Sequence, residues 1–174
     1  MKHHAHHGTL AQPTGGIYPF AELPVHLGFP STTDFEVIYN ANGSAVAVAA
    51  LREFPRISRL CRASGHLLPY RCRYTRQLAP GIHVYDPRFS GLLRHSCDPN
   101  VFFDMSELWL WALKDIKKGD PLTMDYAATE DTLLHQFACL CGSTECRGWI
   151  TGYDEPPNAD GQLFFRHWRR RSLC

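Results

Sequence analysis

Four cysteines in two widely separated places set the strongest limit on how this chain can fold. Cys139-Leu140-Cys141 is followed, after four residues, by Cys146, which gathers three thiolates. A structural zinc site closes with four ligands in a tetrahedron, so one more sulfur has to come from elsewhere. Cys97, in the run Arg94-His95-Ser96-Cys97-Asp98-Pro99-Asn100, is the expected donor. One zinc ion held by Cys97, Cys139, Cys141 and Cys146 would pin the last third of the chain to its middle. Although His95 stands nearby, Cys97 is read as a ligand and not a nucleophile, because metal ligation occupies its thiolate. Cys61, Cys72 and Cys174 remain, an odd number that suits reduced thiols better than a disulfide framework.

At 174 residues the chain is long enough for one domain with a real core and short extensions. A hydrophobic fraction of 44% and a charged fraction of 20% describe an ordinary globular protein. The formal net charge of +1 gives no global attraction to nucleic acid or anionic membrane. No apolar run approaches the roughly 20 residues of a membrane helix, and the first residues lack a secretory core. An intracellular protein, cytoplasmic or nuclear and not secreted, is expected.

Met1 to Gly8, with four histidines, reads as a tag-like or disordered tail. Residues 1–34 as a whole are expected to form a tail and an irregular arm, rich in Pro, Gly and Thr. Phe35, Val37 and Tyr39 alternate with Glu36, Ile38 and Asn40; Asn42-Gly43 then supplies a turn and Ser44 to Ala50 a returning strand, which predicts a β-hairpin. Further strands are predicted over Ile57–Arg62, Tyr70–Leu78, Ile82–Tyr85, Val101–Phe103, Leu108–Leu113 and Leu122–Tyr126, with a short helical turn between Pro87 and Leu93. Thr129 to Gln136, with a Thr cap and Glu130 and Asp131 in the first turn, predicts a helix. The closing tract Arg166-His167-Trp168-Arg169-Arg170-Arg171 is expected to be solvated, without direct nucleic-acid binding.

His-Ser-Cys-Asp-Pro-Asn, then Leu122-Thr123-Met124-Asp125-Tyr126, then Cys-x-Cys-x4-Cys-Arg-Gly-Trp, in that order, resemble the SET domain of protein lysine methyltransferases with its post-SET zinc segment. The resemblance implies a mainly β fold of short curved sheets with a pseudoknot and a small zinc-bound lobe. It divides the chain into a SET-like domain over residues 35–136, a post-SET segment over 137–152 and an extension over 153–174. It also implies transfer of a methyl group from S-adenosylmethionine to a lysine amine of a protein or peptide, histones being one candidate.

By the same resemblance, Tyr126 orients the amine at the end of a narrow channel walled by Met124 and Tyr74. Gly43, Ala45, Arg94 and His95 contact the cofactor, Trp149 offers its indole to the adenine ring, and the segment around Asn100 holds the knot together. The sequence departs from the family pattern at Arg94, where asparagine is usual, at Ala45 for glycine, at Met124 for an aromatic residue and at Pro121 for an acid. Arg94 is always charged and accepts no hydrogen bond. A second function therefore stays open: a diverged SET-like protein without methyl transfer, acting on a small molecule or as a binding module.

Overall fold

The alternation of Phe35–Tyr39 resolves into the hairpin it predicts. In a computed structural model, which describes residues 15–171, strand β1 (Phe35–Tyr39) pairs antiparallel with β2 (Ala45–Ala50). Asn40 closes the turn by accepting the Asn42 and Ser44 N–H groups on its side-chain oxygen. The histidine-rich start and Cys174 lie outside the described residues.

Ten more short strands follow: β3 (Arg59–Arg62), β4 (His66–Leu68), β5 (Thr75–Ala79), β6 (Ile82–Tyr85), β7 (Arg94–His95), β8 (Val101–Asp104), β9 (Trp109–Ala112), β10 (Thr123–Met124), β11 (Phe137–Ala138) and β12 (Trp149–Ile150). They make small sheets ordered β3-β9-β8 and β4-β6-β5, with separate pairs β1-β2, β7-β10 and β11-β12. The fold is mainly β, as expected.

The core between these sheets is aromatic. Phe35 stacks on Phe54 with centroids 5.2 Å apart and meets Phe89 edge-on at the same distance. The arm over residues 15–34 adds Tyr18, 2% exposed, whose hydroxyl donates to the buried Asp86 carboxylate at 2.7 Å. Asp86 also accepts from the backbone N–H of Arg88, Phe89 and Ser90 and from the Ser90 hydroxyl. These bonds fix a 3₁₀ turn at Ser90–Leu92, within the stretch where a helical turn is predicted.

Three expectations need correction. Residues 129–136 form no helix, because their polar groups bond to distant partners: Glu130 to Arg71 and the Gln77 N–H, Asp131 to Arg71, and Gln136 to Trp149 and the Asn158 N–H. The strand predicted over Tyr70–Leu78 begins only at Thr75, since a turn between Cys72 and Thr75 holds Tyr74 at φ 69. The predicted strand end at Asp125-Tyr126 is a 3₁₀ turn, Tyr126–Ala128, capped by the Asp125 side chain.

The extension after residue 153 carries a helix that the basic tract concealed: α1, Ala159–Arg171. Asn158 caps it by accepting the Gly161 N–H, and Asp160 in the first turn complements the helix dipole. Its first turn presses against Trp149. A Cβ on Gly161 would fall 2.4 Å from the indole nitrogen, so only glycine permits this approach.

Candidate active site

The hub and the later segments meet as the cysteine spacing requires. Strand β10 runs parallel to β7, pairing Thr123 with Arg94 and Met124 with His95. Asn100 locks the crossing: its amide donates to Pro121 O, its side-chain oxygen accepts the Thr123 N–H at 2.8 Å, and its own N–H reaches Thr123 O.

The sulfurs of Cys97, Cys139, Cys141 and Cys146 lie within 4.8 Å of one another, those of Cys97 and Cys139 at 3.8 Å. A zinc–sulfur bond near 2.3 Å sets tetrahedral sulfurs about 3.8 Å apart, so the cluster fits zinc. Its surroundings suit thiolates. Cys97 Sγ receives the Arg147 N–H at 3.4 Å and faces His95 Nε2 at 3.4 Å. Because His95 Nδ1 accepts the Tyr126 N–H, the ring proton sits on Nε2 and points at the sulfur. Burial holds the His95 imidazole low, at about 4, against the opposing pull of Asp125, which keeps the ring neutral. Backbone donors, Cys97 first and then Ser143, draw the Cys141 thiol down to about 6, while burial pushes Cys139 up. Arg147 completes the hub by binding Asp125 at 2.5 Å.

Beside this hub opens a cavity of ≈ 280 Å³ whose walls include Ala45, Arg73, Tyr74, Arg76, Arg94 and Tyr126. The Tyr126 hydroxyl donates to Leu93 O at 2.9 Å, so its lone pairs are free to accept from a ligand. Gly91 brings the opposite wall close, since a Cβ there would lie 2.5 Å from Tyr74 O. Tyr74 itself occupies the left-handed region at φ 69, strain of a kind that clusters at functional sites.

The structure thus gathers Tyr126, Tyr74, Ala45 and Arg94 around one cavity, with His95 packed behind Tyr126 at a centroid distance of 5.2 Å. Three other candidates sit elsewhere. Gly43 is exposed at the tip of the β1-β2 turn, and Met124 is a core residue, 1% exposed, not a wall of this cavity. Trp149 faces α1: its ring packs on Phe164 at 5.7 Å and donates to Gln136, and it does not line the cavity. Helix α1 takes the indole face that the resemblance assigns to adenine.

Arg76 escaped sequence reasoning. It is 7% exposed, with its guanidinium 4.8 Å from the Tyr126 ring centre. The available signal was the run Arg71-Cys72-Arg73-Tyr74-Thr75-Arg76, three arginines ahead of a strand that enters the core.

The family model for the SET domain matches residues 35–127. Methyltransferase flvH of Aspergillus flavus is 32% identical over 94 residues, 53% of this chain and 51% of flvH. The histone H3 lysine-9 specific methyltransferase dim-5 of Neurospora crassa is 33% identical over 78 residues, 33% of this chain and 24% of dim-5. A crystal structure of KRYPTONITE with mCHH DNA, H3(1-15) peptide and SAH superposes with a TM-score of 0.52 at 25% identity, over 66% of this chain and 29% of that one. The chain therefore spans about half the length of flvH and about a quarter of dim-5. With the family match extending over more than half of its length, and the three motifs assembled around one cavity and one cysteine cluster, the chain belongs to the SET domain family.

Proposed function

We propose that this chain is an S-adenosylmethionine-dependent N-methyltransferase, with a lysine side chain of a protein or peptide, a histone included, as the acceptor suggested by its relatives. The observation that carries the reading is the Tyr126 hydroxyl, anchored on Leu93 O at the wall of the cavity. When bound, the cofactor supplies an electrophilic methyl: the amine lone pair forms the new bond to carbon, sulfur keeps the electron pair of the bond that breaks, and the product ammonium sheds its proton to water. With its own proton committed to Leu93, Tyr126 accepts an N–H of the incoming amine and so aims the nitrogen lone pair, a positioning effect of several kcal/mol. Arg94, exposed at the cavity wall and with no side-chain hydrogen bond among the described residues, suits the cofactor carboxylate; Ala45 lines the same wall. Zinc on the four cysteines would hold β11 and β12 against the hub. An intracellular location, cytoplasmic or nuclear, belongs to this reading; no described helix is long and apolar enough to cross a membrane.

A second reading, methyl transfer to a small-molecule amine, is favoured by the buried guanidinium of Arg76 against Tyr126. A cation there disfavours a protonated lysine chain. Calorimetry with S-adenosylmethionine and S-adenosylhomocysteine tests the shared premise, and methyl transfer to histone and cell-extract substrates tests the acceptor. Saturable binding of both cofactors is expected; absence of either signal removes the methyltransferase reading.

A further inference from the structure

Thr75, Arg76 and Gln77 are three consecutive buried polar residues, 4%, 7% and 3% exposed. The two neutral ones are satisfied: the Thr75 hydroxyl donates to Cys72 O, and the Gln77 side-chain oxygen accepts from Arg71 and the Asp131 N–H. Arg76 is not. Its terminal nitrogens donate to Thr75 O and Leu93 O, the second being the carbonyl that also holds the Tyr126 hydroxyl. Both acceptors are neutral, and Nε has no partner among the described residues. A guanidinium keeps its charge even when buried, and a buried charge persists only where something compensates it.

The nearby acids do not compensate it. Glu130, the one acid among the residues lining this cavity, is bound to Arg71 and to the Gln77 N–H, and Asp131 also takes Arg71. Arg73 and Arg94 line the same cavity and form no ion pair among the described residues. The cavity that Tyr126 lines therefore holds three guanidiniums with no counter-ion among the described residues, and the one against its ring is buried with an unpartnered donor.

We infer that the cavity binds its acceptor amine together with a carboxylate: a small amino acid whose carboxylate pairs with Arg76 and whose nitrogen meets Tyr126. The role of the nitrogen rests on the methyl-transfer reading above; the carboxylate rests on Arg76 alone. Charge decides the class. A lysine side chain of a protein brings positive charge toward Arg76 with nothing to offset it, whereas an amino acid carries its own anion close to its amine. Arg76 is then a specificity-determining residue, supplying a charge-assisted donor to a planar carboxylate.

The test is equilibrium binding, independent of turnover. Protein saturated with S-adenosylhomocysteine is titrated with L-lysine, L-proline and L-leucine and with their carboxamides. At least one acid is expected to bind about tenfold or more tighter than its amide. That ratio should fall to about one in Arg76→Gln and return in part in Arg76→Lys. Equal binding of acid and amide to the wild type, no binding of any acid, or a ratio that survives in Arg76→Gln would each overturn the inference. Should Arg76→Gln fail to fold, the wild-type acid and amide pairs still decide. A separate arm compares S-adenosylmethionine with its decarboxylated form on unloaded protein. If Arg76→Gln weakens only the carboxylated cofactor, the partner of Arg76 is the cofactor and the inference fails. If S-adenosylhomocysteine does not bind, the methyl-transfer reading falls by itself, and the acid and amide titrations proceed on free protein.

Discussion

The hub around Cys97 and the cavity around Tyr126 share the β7-β10 crossing yet differ in how their polar groups are used. In the hub, each of them has a partner inside the protein: His95 with Cys97 and the Tyr126 N–H, Arg147 with Asp125, Asn100 with Pro121 and Thr123. In the cavity, Arg76 keeps an unused donor, and Arg73 and Arg94 pair with no carboxylate among the described residues. A region whose hydrogen bonds close on themselves serves stability. One with charge to spare is where a ligand gains affinity. The two regions should accordingly fail in different ways when altered.

The largest effect is expected from Cys97→Ser, which removes one sulfur of the four. Loss of bound zinc by elemental analysis and a destabilisation above about 4 kcal/mol, in the range that marks loss of a metal site, should follow. Hydrogen exchange should rise over β11 and β12 and stay low in β1 and β2. A metal-free native protein of unchanged stability would break the contrast.

Next is Tyr126→Phe, which should fold but lose about 10²- to 10³-fold in methyl transfer, as when one aligned polar group leaves an active site. Melting should drop by no more than the roughly 1 kcal/mol of its bond to Leu93 O. Near-normal turnover would remove Tyr126 from the chemistry.

A smaller effect, about 1 to 3 kcal/mol, is expected from Asp131→Asn, because Asp131 holds Arg71 and the Thr132 N–H. Burial pushes the Asp131 carboxyl up, but hydrogen bonds from Thr132, Gln77 and Arg71 outweigh it and leave it below its usual range. Glu155 is lowered in the same way, burial again outweighed, here by the Gly152 N–H and other donors. Their contributions are complete above the ordinary carboxylate range and are lost as pH falls through the lowered values. Denaturant midpoints should fall with acid, and Asp131→Asn should flatten that fall. An unchanged acid slope would exclude Asp131 from it.

Arg94→Asn should be the mildest for folding. The Arg94 side chain is exposed and makes no hydrogen bond among the described residues, while its backbone pairing with β10 survives the change, so stability should move by less than about 0.5 kcal/mol. Cofactor affinity should fall by about tenfold at most, since the carboxylate loses its charged partner but keeps a neutral donor in the asparagine amide. No binding by the wild type, with binding restored in Arg94→Asn Ala45→Gly, would place the divergence at the cofactor and not at the acceptor.

Much of this was legible in the sequence because it follows from local or countable facts. The alternation in Phe35–Tyr39, the Asn-Gly turn and the cysteine that completes a set of four are read directly, since side-chain period and metal coordination number are fixed by chemistry. Residues 129–136 look helical in the sequence because Glu130 and Asp131 resemble first-turn acids until Arg71 and Gln77, more than fifty residues earlier, claim them. Helix α1 is hidden in the sequence because the basic tract obscures an apolar face of Phe164 and Trp168 that acquires meaning only against Trp149.

The sequence by itself determined the short-strand β character and the four-sulfur centre, through spacings that hold in any compact fold of this chain. Only the tertiary structure decided which charges remain unpaired. Whether a guanidinium is neutralised depends on acids brought near it from distant segments, and three-dimensional packing alone gave Arg71 its two carboxylates and left Arg76 against Tyr126 with none among the described residues.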